Sequence, residues 1–261
     1  MHRGRGLVRR GLYSTFLLLL AASTRVEAAC VDPATLTHST VSITRYFDDN
    51  EKGIRPGVLG MSGTGWFLSP TRMVTIEHVV TAMNLSEESW KPIEIWTGEN
   101  KQSIPVRIQR LLGSHAEKIA VLELQAPFSE AHGFQVRPEP LVPEEPVVSL
   151  AYPDDRLRVA SGRFVRYGDG NSFAGMALLE LYDGDNRLVL DYGSSGAPVF
   201  DCAGRVIAVV SKLFQTTIRF MSQTTRVPTA WGSPNVVSEP IDALGDVAPR
   251  RATHVGPPVS R

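Results

Sequence analysis

Residues 193–198 read Gly-Ser-Ser-Gly-Ala-Pro, a composition suited to acyl transfer at Ser195. A nucleophilic hydroxyl needs exposure, and backbone N–H groups must point to where negative charge develops on the attacked carbonyl. The amides of Gly193 and Ser195 are candidates for that oxyanion hole. Gly193 and Gly196 tolerate the backbone angles of a tight turn, and Pro198 fixes where the next strand begins. Because turns of this composition are common, the serine also needs a base. His78 is the candidate: in MVTIEHVV a hydrophobic strand over 72–76 runs into a helical turn, leaving the imidazole at the strand end. None of the other five histidines has a comparable strand-to-helix setting.

The elements that must position these groups are short strands separated by turn formers. One series runs 40–47, 63–69, 72–76, 93–97, 103–112 and 118–124. A second follows the Pro-rich stretch 132–146 and runs 147–152, 158–168, 176–182, 187–192, 197–201 and 205–214. Helical periodicity is confined to 77–85 and a short C-terminal segment, 239–246. Six strands on each side of a linker predict an all-β sandwich or barrel architecture.

Taken in order, GTGWFLSP, TIEHVV, KIAVLEL, GSSGAP and GRVIAVVS resemble successive blocks of the trypsin-like (chymotrypsin-fold) serine peptidases, nearest the bacterial Deg/HtrA-like branch, with no PDZ-like region after residue 246. The resemblance spans residues 40–245. It implies two six-stranded antiparallel β-barrels with the site between them, His78 as general base, Ser195 as nucleophile, and Gly193 and Ser195 as the oxyanion hole. The implied activity is endopeptidase, and the implied partner is a protein or peptide substrate.

The chain departs from the family at the acid. In KIAVLEL the expected Asp position holds Lys118, a cation that would oppose the imidazolium formed in catalysis. Glu117, one residue upstream and ahead of the strand, is the replacement candidate; Glu77, Asp183 and Asp185 are poorer ones. If no carboxylate reaches His78, the alternative is a catalytically impaired protease-like protein that binds peptides or serves as a scaffold. Six residues before the nucleophile, where the family lines its primary pocket, stands Val189, which predicts a small or medium apolar residue before the scissile bond. The scattered histidines and two cysteines give no metal site, and GTGW lacks nucleotide-loop spacing, so no cofactor is expected.

The remaining segments bound the setting. Residues 1–28 combine a basic lead, the apolar run FLLLLAA and a small-residue cleavage site, an export signal pointing to the periplasm or the exterior. Its removal takes five Arg and one Glu from 27 basic and 27 acidic residues, leaving 22 against 26. That balance predicts no nucleic-acid partner, and no later apolar run is long enough for a membrane span. In an oxidising compartment Cys30 and Cys202 are free to pair, the competing reading being lipidation of Cys30. The expected divisions are a first barrel over 29–131 carrying His and acid, a linker over 132–146, a nucleophile barrel over 147–246, and a disordered tail over 247–261.

Overall fold

A computed structural model describes residues 30–54, 57–137, 139–170, 172–214, 216–220, 223–227 and 232–244. The export segment 1–28 and the tail 247–261 lie outside the described residues. The strands β1 (Thr40–Tyr46), β2 (Gly60–Ser69), β3 (Arg72–Ile76), β4 (Lys91–Trp96), β5 (Lys101–Leu112) and β6 (Ile119–Leu124) close a barrel in the order β1-β2-β3-β6-β5-β4. Period-two patterning explains the inward set. Ile43 faces Ile95 across β1 and β4, Ile93 faces Ile104 across β4 and β5, and all four are buried while intervening charges such as Glu94 turn outward. Two short helices, α1 (Asp49–Ile54) and α2 (Glu77–Ala82), interrupt the series, and α2 packs on β2, β3 and β6.

The second barrel is built from β7 (Pro146–Ala151), β8 (Arg158–Tyr167), β9 (Ala177–Tyr182), β10 (Pro198–Asp201), β11 (Val206–Leu213) and, after a separate hairpin of β12 (Thr216–Phe220) and β13 (Gln223–Val227), β14 (Val236–Pro240). Its order is β10-β11-β14-β9-β8-β7. Both barrels are antiparallel and six-stranded, the chymotrypsin-like architecture.

One strand of the expected series is corrected. Residues 187–192 form no strand. The Asp183 carboxylate accepts the N–H groups of Asp185 and Arg187, folding the chain over. Asp191 is then held by Ser194: the Asp191 N–H donates to Ser194 Oγ and the Ser194 N–H to the Asp191 carbonyl. The closing strand is β14, buried along its whole length between β11 and β9. Glu239 and Pro240 of the expected C-terminal helix belong to β14, a 3-10 turn follows over Ile241–Leu244, and residues 245–246 lie outside the described residues.

The barrels do not merely abut. Val148, Leu150, Phe200, Val206 and Val209 of the second share one apolar cluster with the core of the first. The segment between them runs along both: the Phe134 N–H donates to Phe67 O, and the Phe134 ring meets Trp66 and Phe200. Arg137 is held there by Glu145 and by Asp201 at 3.2 Å. Cys30 and Cys202 form a disulfide, tying the start of the described chain to the turn after β10. Residues contributed by the two barrels to one crevice are therefore held in a fixed relation.

Candidate active site

A cleft of about 870 Å³ opens between the barrels, and His78, Glu117, Gly193, Ser195, Ser211 and Lys212 all line it. His78 is the second residue of α2, directly after β3; the Glu77 N–H donates to the Lys118 carbonyl at 2.8 Å, pinning α2 to the start of β6. The His78 side chain is 40% exposed and the Glu117 side chain 9%, so the carboxylate is buried behind an accessible imidazole.

His78 Nδ1 lies 3.0 Å from Glu117 Oε1. Glu117 precedes β6, where no pleat yet fixes its direction, and it turns into the cleft. Lys118 points away, its amine 3.8 Å from Glu77 at the surface. The second Glu117 oxygen accepts from Ser211 Oγ at 3.3 Å and pairs with Lys212 Nζ at 3.4 Å. Burial by itself would push this carboxyl up; the hydrogen bond and charge of His78, with Lys212 added, outweigh it and hold the carboxyl at about 2. An ionised carboxylate only accepts, so Nδ1 carries a proton whether or not the ring is charged, and in the neutral ring Nε2 keeps its lone pair for the cleft.

Stability follows from the same shift. Because the folded value lies below the ordinary 4.5, Glu117 stabilises the fold above that pH, and the contribution is lost as pH falls from 4.5 toward 2. Urea midpoints of wild type and Glu117→Gln are expected to converge over that interval and to differ most near neutrality.

The serine loop is clamped from the first barrel by Thr64 on β2. The Thr64 N–H donates to Ser195 O at 2.9 Å, and Thr64 Oγ1 donates to Gly193 O at 2.7 Å while accepting the Tyr152 N–H at 3.0 Å. Gly193 and Gly196 both have positive φ, 94° and 90°. Among the described residues neither the Gly193 nor the Ser195 N–H donates a backbone hydrogen bond. Gly196 is also required by space, since a Cβ there would lie 2.1 Å from Thr75 Oγ1 and 2.2 Å from Thr64 O. Gly196→Ala is expected to displace the clamp and lower kcat/KM by about 100-fold or more, read alongside the melting temperature.

Ser195 Oγ donates to the Ser211 carbonyl at 3.3 Å, and among the described residues no hydrogen bond joins it to His78. Ser211 can reach both partners because β11 is bulged there. Val210 pairs Ser238 and Lys212 pairs Val237, so Ser211 has no ladder partner and is free to aim its hydroxyl at Glu117. Val189 is not brought into this cleft; it packs against the second barrel's core and lines a neighbouring depression with Pro153 and Leu188. Thr64, Ser211 and the ion-pairing role of Lys212 carry no signal in sequence, since each depends on a contact between distant segments.

A family model described as a trypsin-like peptidase domain matches residues 63–209, from β2 into β11, and so takes in His78, Glu117 and Ser195. The chain belongs to this family. As a trypsin-like serine peptidase it is similar in fold to the active form of the Rv3671c protease from M. tuberculosis, at 17% identity and a TM-score of 0.55, over 84% of this chain and 85% of that one. It is likewise similar to the HtrA-type protease AlgW solved with a tripeptide, at 14% identity and a TM-score of 0.52, over 81% of this chain and 58% of that one. No curated protein matches this peptidase in sequence.

Proposed function

We propose that this serine peptidase is an exported endopeptidase in which Ser195 is the nucleophile, His78 the general base and Glu117 the acid of the triad. The observation that carries the assignment is the 3.0 Å contact between His78 Nδ1 and a Glu117 carboxylate held ionised, in the cleft that also holds Ser195. Ser195 Oγ leaves the Ser211 carbonyl by rotation about Cα–Cβ and gives its proton to Nε2 as it bonds to the substrate carbonyl carbon. The Gly193 and Ser195 N–H groups receive the oxyanion. The C–N bond then breaks, the imidazolium returns its proton to the departing amine, and water releases the acyl group by the same steps.

The substrate is an extended peptide lying in the inter-barrel cleft, with selectivity set by the groups that line it. Val210 and Leu213 give an apolar portion, and the half-exposed Lys212 adds a cation beside it. Export is supported by the Cys30–Cys202 disulfide. No helix among the described residues is long and apolar enough to cross a membrane. Catalytic impairment had its motive in Lys118, whose amine is directed to Glu77 and away from His78.

The test is reaction of the purified protein with a fluorophosphonate probe, followed by mass spectrometric mapping. A single adduct at Ser195 that requires His78 is expected. A folded protein without that adduct sinks the proposal.

A further inference from the structure

A second carboxylate-imidazole pair lies outside the cleft. His115 Nδ1 is 2.7 Å from Glu239 Oε1, although the residues are 124 positions apart and belong to different barrels. His115 is in the connection from β5 to β6, two residues before Glu117; Glu239 is on β14, where it pairs Val209 of β11. The Glu239 side chain is fully buried, and its other oxygen has no partner among the described residues. No reacting group touches either residue, so the chemistry proposed above leaves the pair without a use.

The surroundings are shaped to seat it. Gly175, with φ 78°, gives the imidazole its slot: a Cβ there would lie 2.3 Å from His115 Cδ2. Gly113, with φ 117°, opens the same connection, and a Cβ on it would lie 2.9 Å from Glu239 Oε1. Both ends of the slot thus depend on the absence of a side chain. Burial pushes the Glu239 carboxyl well above the usual carboxylate range while the bond to His115 pulls it back, and a buried polar group of this kind is costly unless it is hydrogen-bonded as it is here. The connection between β5 and β6 is in this way plugged into the second barrel immediately before it delivers Glu117 to His78.

We infer that His115 and Glu239 are positioning residues, an inter-barrel latch that seats the 113–118 connection so that the Glu117 carboxylate stays against His78. Its kinetic consequence rests on Glu117 being the triad acid, whereas the contact itself is read separately. Without the latch, the 113–116 part of the connection loses its tie to the second barrel, and the alignment of Glu117 rests on the Lys118 carbonyl bond to Glu77 and on the contacts of its own carboxylate with His78, Ser211 and Lys212. An acid misplaced by about 1 Å costs on the order of 100-fold in rate with little effect on substrate binding.

The decisive measurement is the downfield Nδ1–H proton resonance of His78, followed with kcat and KM in position-115 variants of the whole chain. His115→Phe fills the slot but cannot bond Glu239. It is expected to shift or broaden the resonance and to lower kcat about 10- to 100-fold with KM within about two-fold. His115→Asn, whose amide occupies the place of Nδ1, is expected to restore both. An unmoved resonance with wild-type kcat in folded His115→Phe overturns the latch. Should His115→Phe fail to fold, the comparison passes to His115→Asn against His115→Gln, whose amide falls nearer the Nε2 position. A resonance kept only in Asn supports the latch, and equal behaviour overturns it. If the resonance moves in His115→Phe while Glu117→Gln retains wild-type kcat, the latch stands and the acid assignment fails.

Discussion

Ser195→Ala is expected to remove about six orders of magnitude from kcat while leaving the protein folded. The size follows from the unit character of such sites, in which loss of the nucleophile alone costs about as much as loss of the whole triad. What remains is the contribution of the cleft and the oxyanion donors, about 10³ to 10⁴ over water. Folding is spared because, among the described residues, the Ser195 hydroxyl has one bond, to the Ser211 carbonyl at 3.3 Å, whereas the backbone of the loop is held by Thr64 and Val210. The expected signature is lost turnover and lost fluorophosphonate labelling, with peptide binding by calorimetry and the melting temperature close to wild type. Ser194→Ala separates the two serines. Ser194 is buried and bonded to Asp191, so its loss is expected to lower the melting temperature and leave labelling at Ser195 in place.

Why some of this is legible in sequence and some is not comes down to the range of the interactions. The first barrel is written locally: alternation in KPIEIW and the run IAVLEL appear as strands because each buries the residues its pattern marks. His78 and Ser195 are legible for the same reason, one at a strand-to-helix junction and the other in a glycine-framed turn. RLVLDY misleads because its composition suits a strand, while Asp183 captures backbone donors four residues on and bends the segment instead. VVSEP then takes the vacant place in the barrel, although its Glu239 and Pro240 fall in the segment whose pattern suits a short C-terminal helix; proline is tolerated there because it ends the strand. Lys118 shows the limit of position-matching, since a family block aligned to the strand assigns the acid to a residue whose side chain faces solvent. The bulge at Ser211 and the pairing of His115 with Glu239 arise from chain segments that meet only in the folded protein.

Glu117→Gln carries the other large effect, and it tests the departure of this chain from its family most directly. The amide keeps the shape of the carboxylate but removes its charge, so the imidazolium formed during attack loses its stabilising partner. Gln can also present an N–H to Nδ1, which favours the wrong tautomer. Amidation of a triad acid lowers kcat by about 10⁴, or about 5.5 kcal/mol of transition-state stabilisation. A comparable loss is expected here, largest near neutral pH and smaller at alkaline pH, where Ser195 depends less on its base. Lys212 sharpens the expectation: its amine is 3.4 Å from the Glu117 carboxylate, and with Gln at 117 that cation stands beside the developing imidazolium with no anion between them. The double variant Glu117→Gln, Lys212→Met is therefore expected to recover part of the lost rate. Glu117→Asp should fall between wild type and Gln, because the shorter side chain keeps the charge but must reach Nδ1 from a residue already placed ahead of β6. A Gln variant with wild-type kcat would leave the 3.0 Å contact as packing alone and move the search for an acid elsewhere.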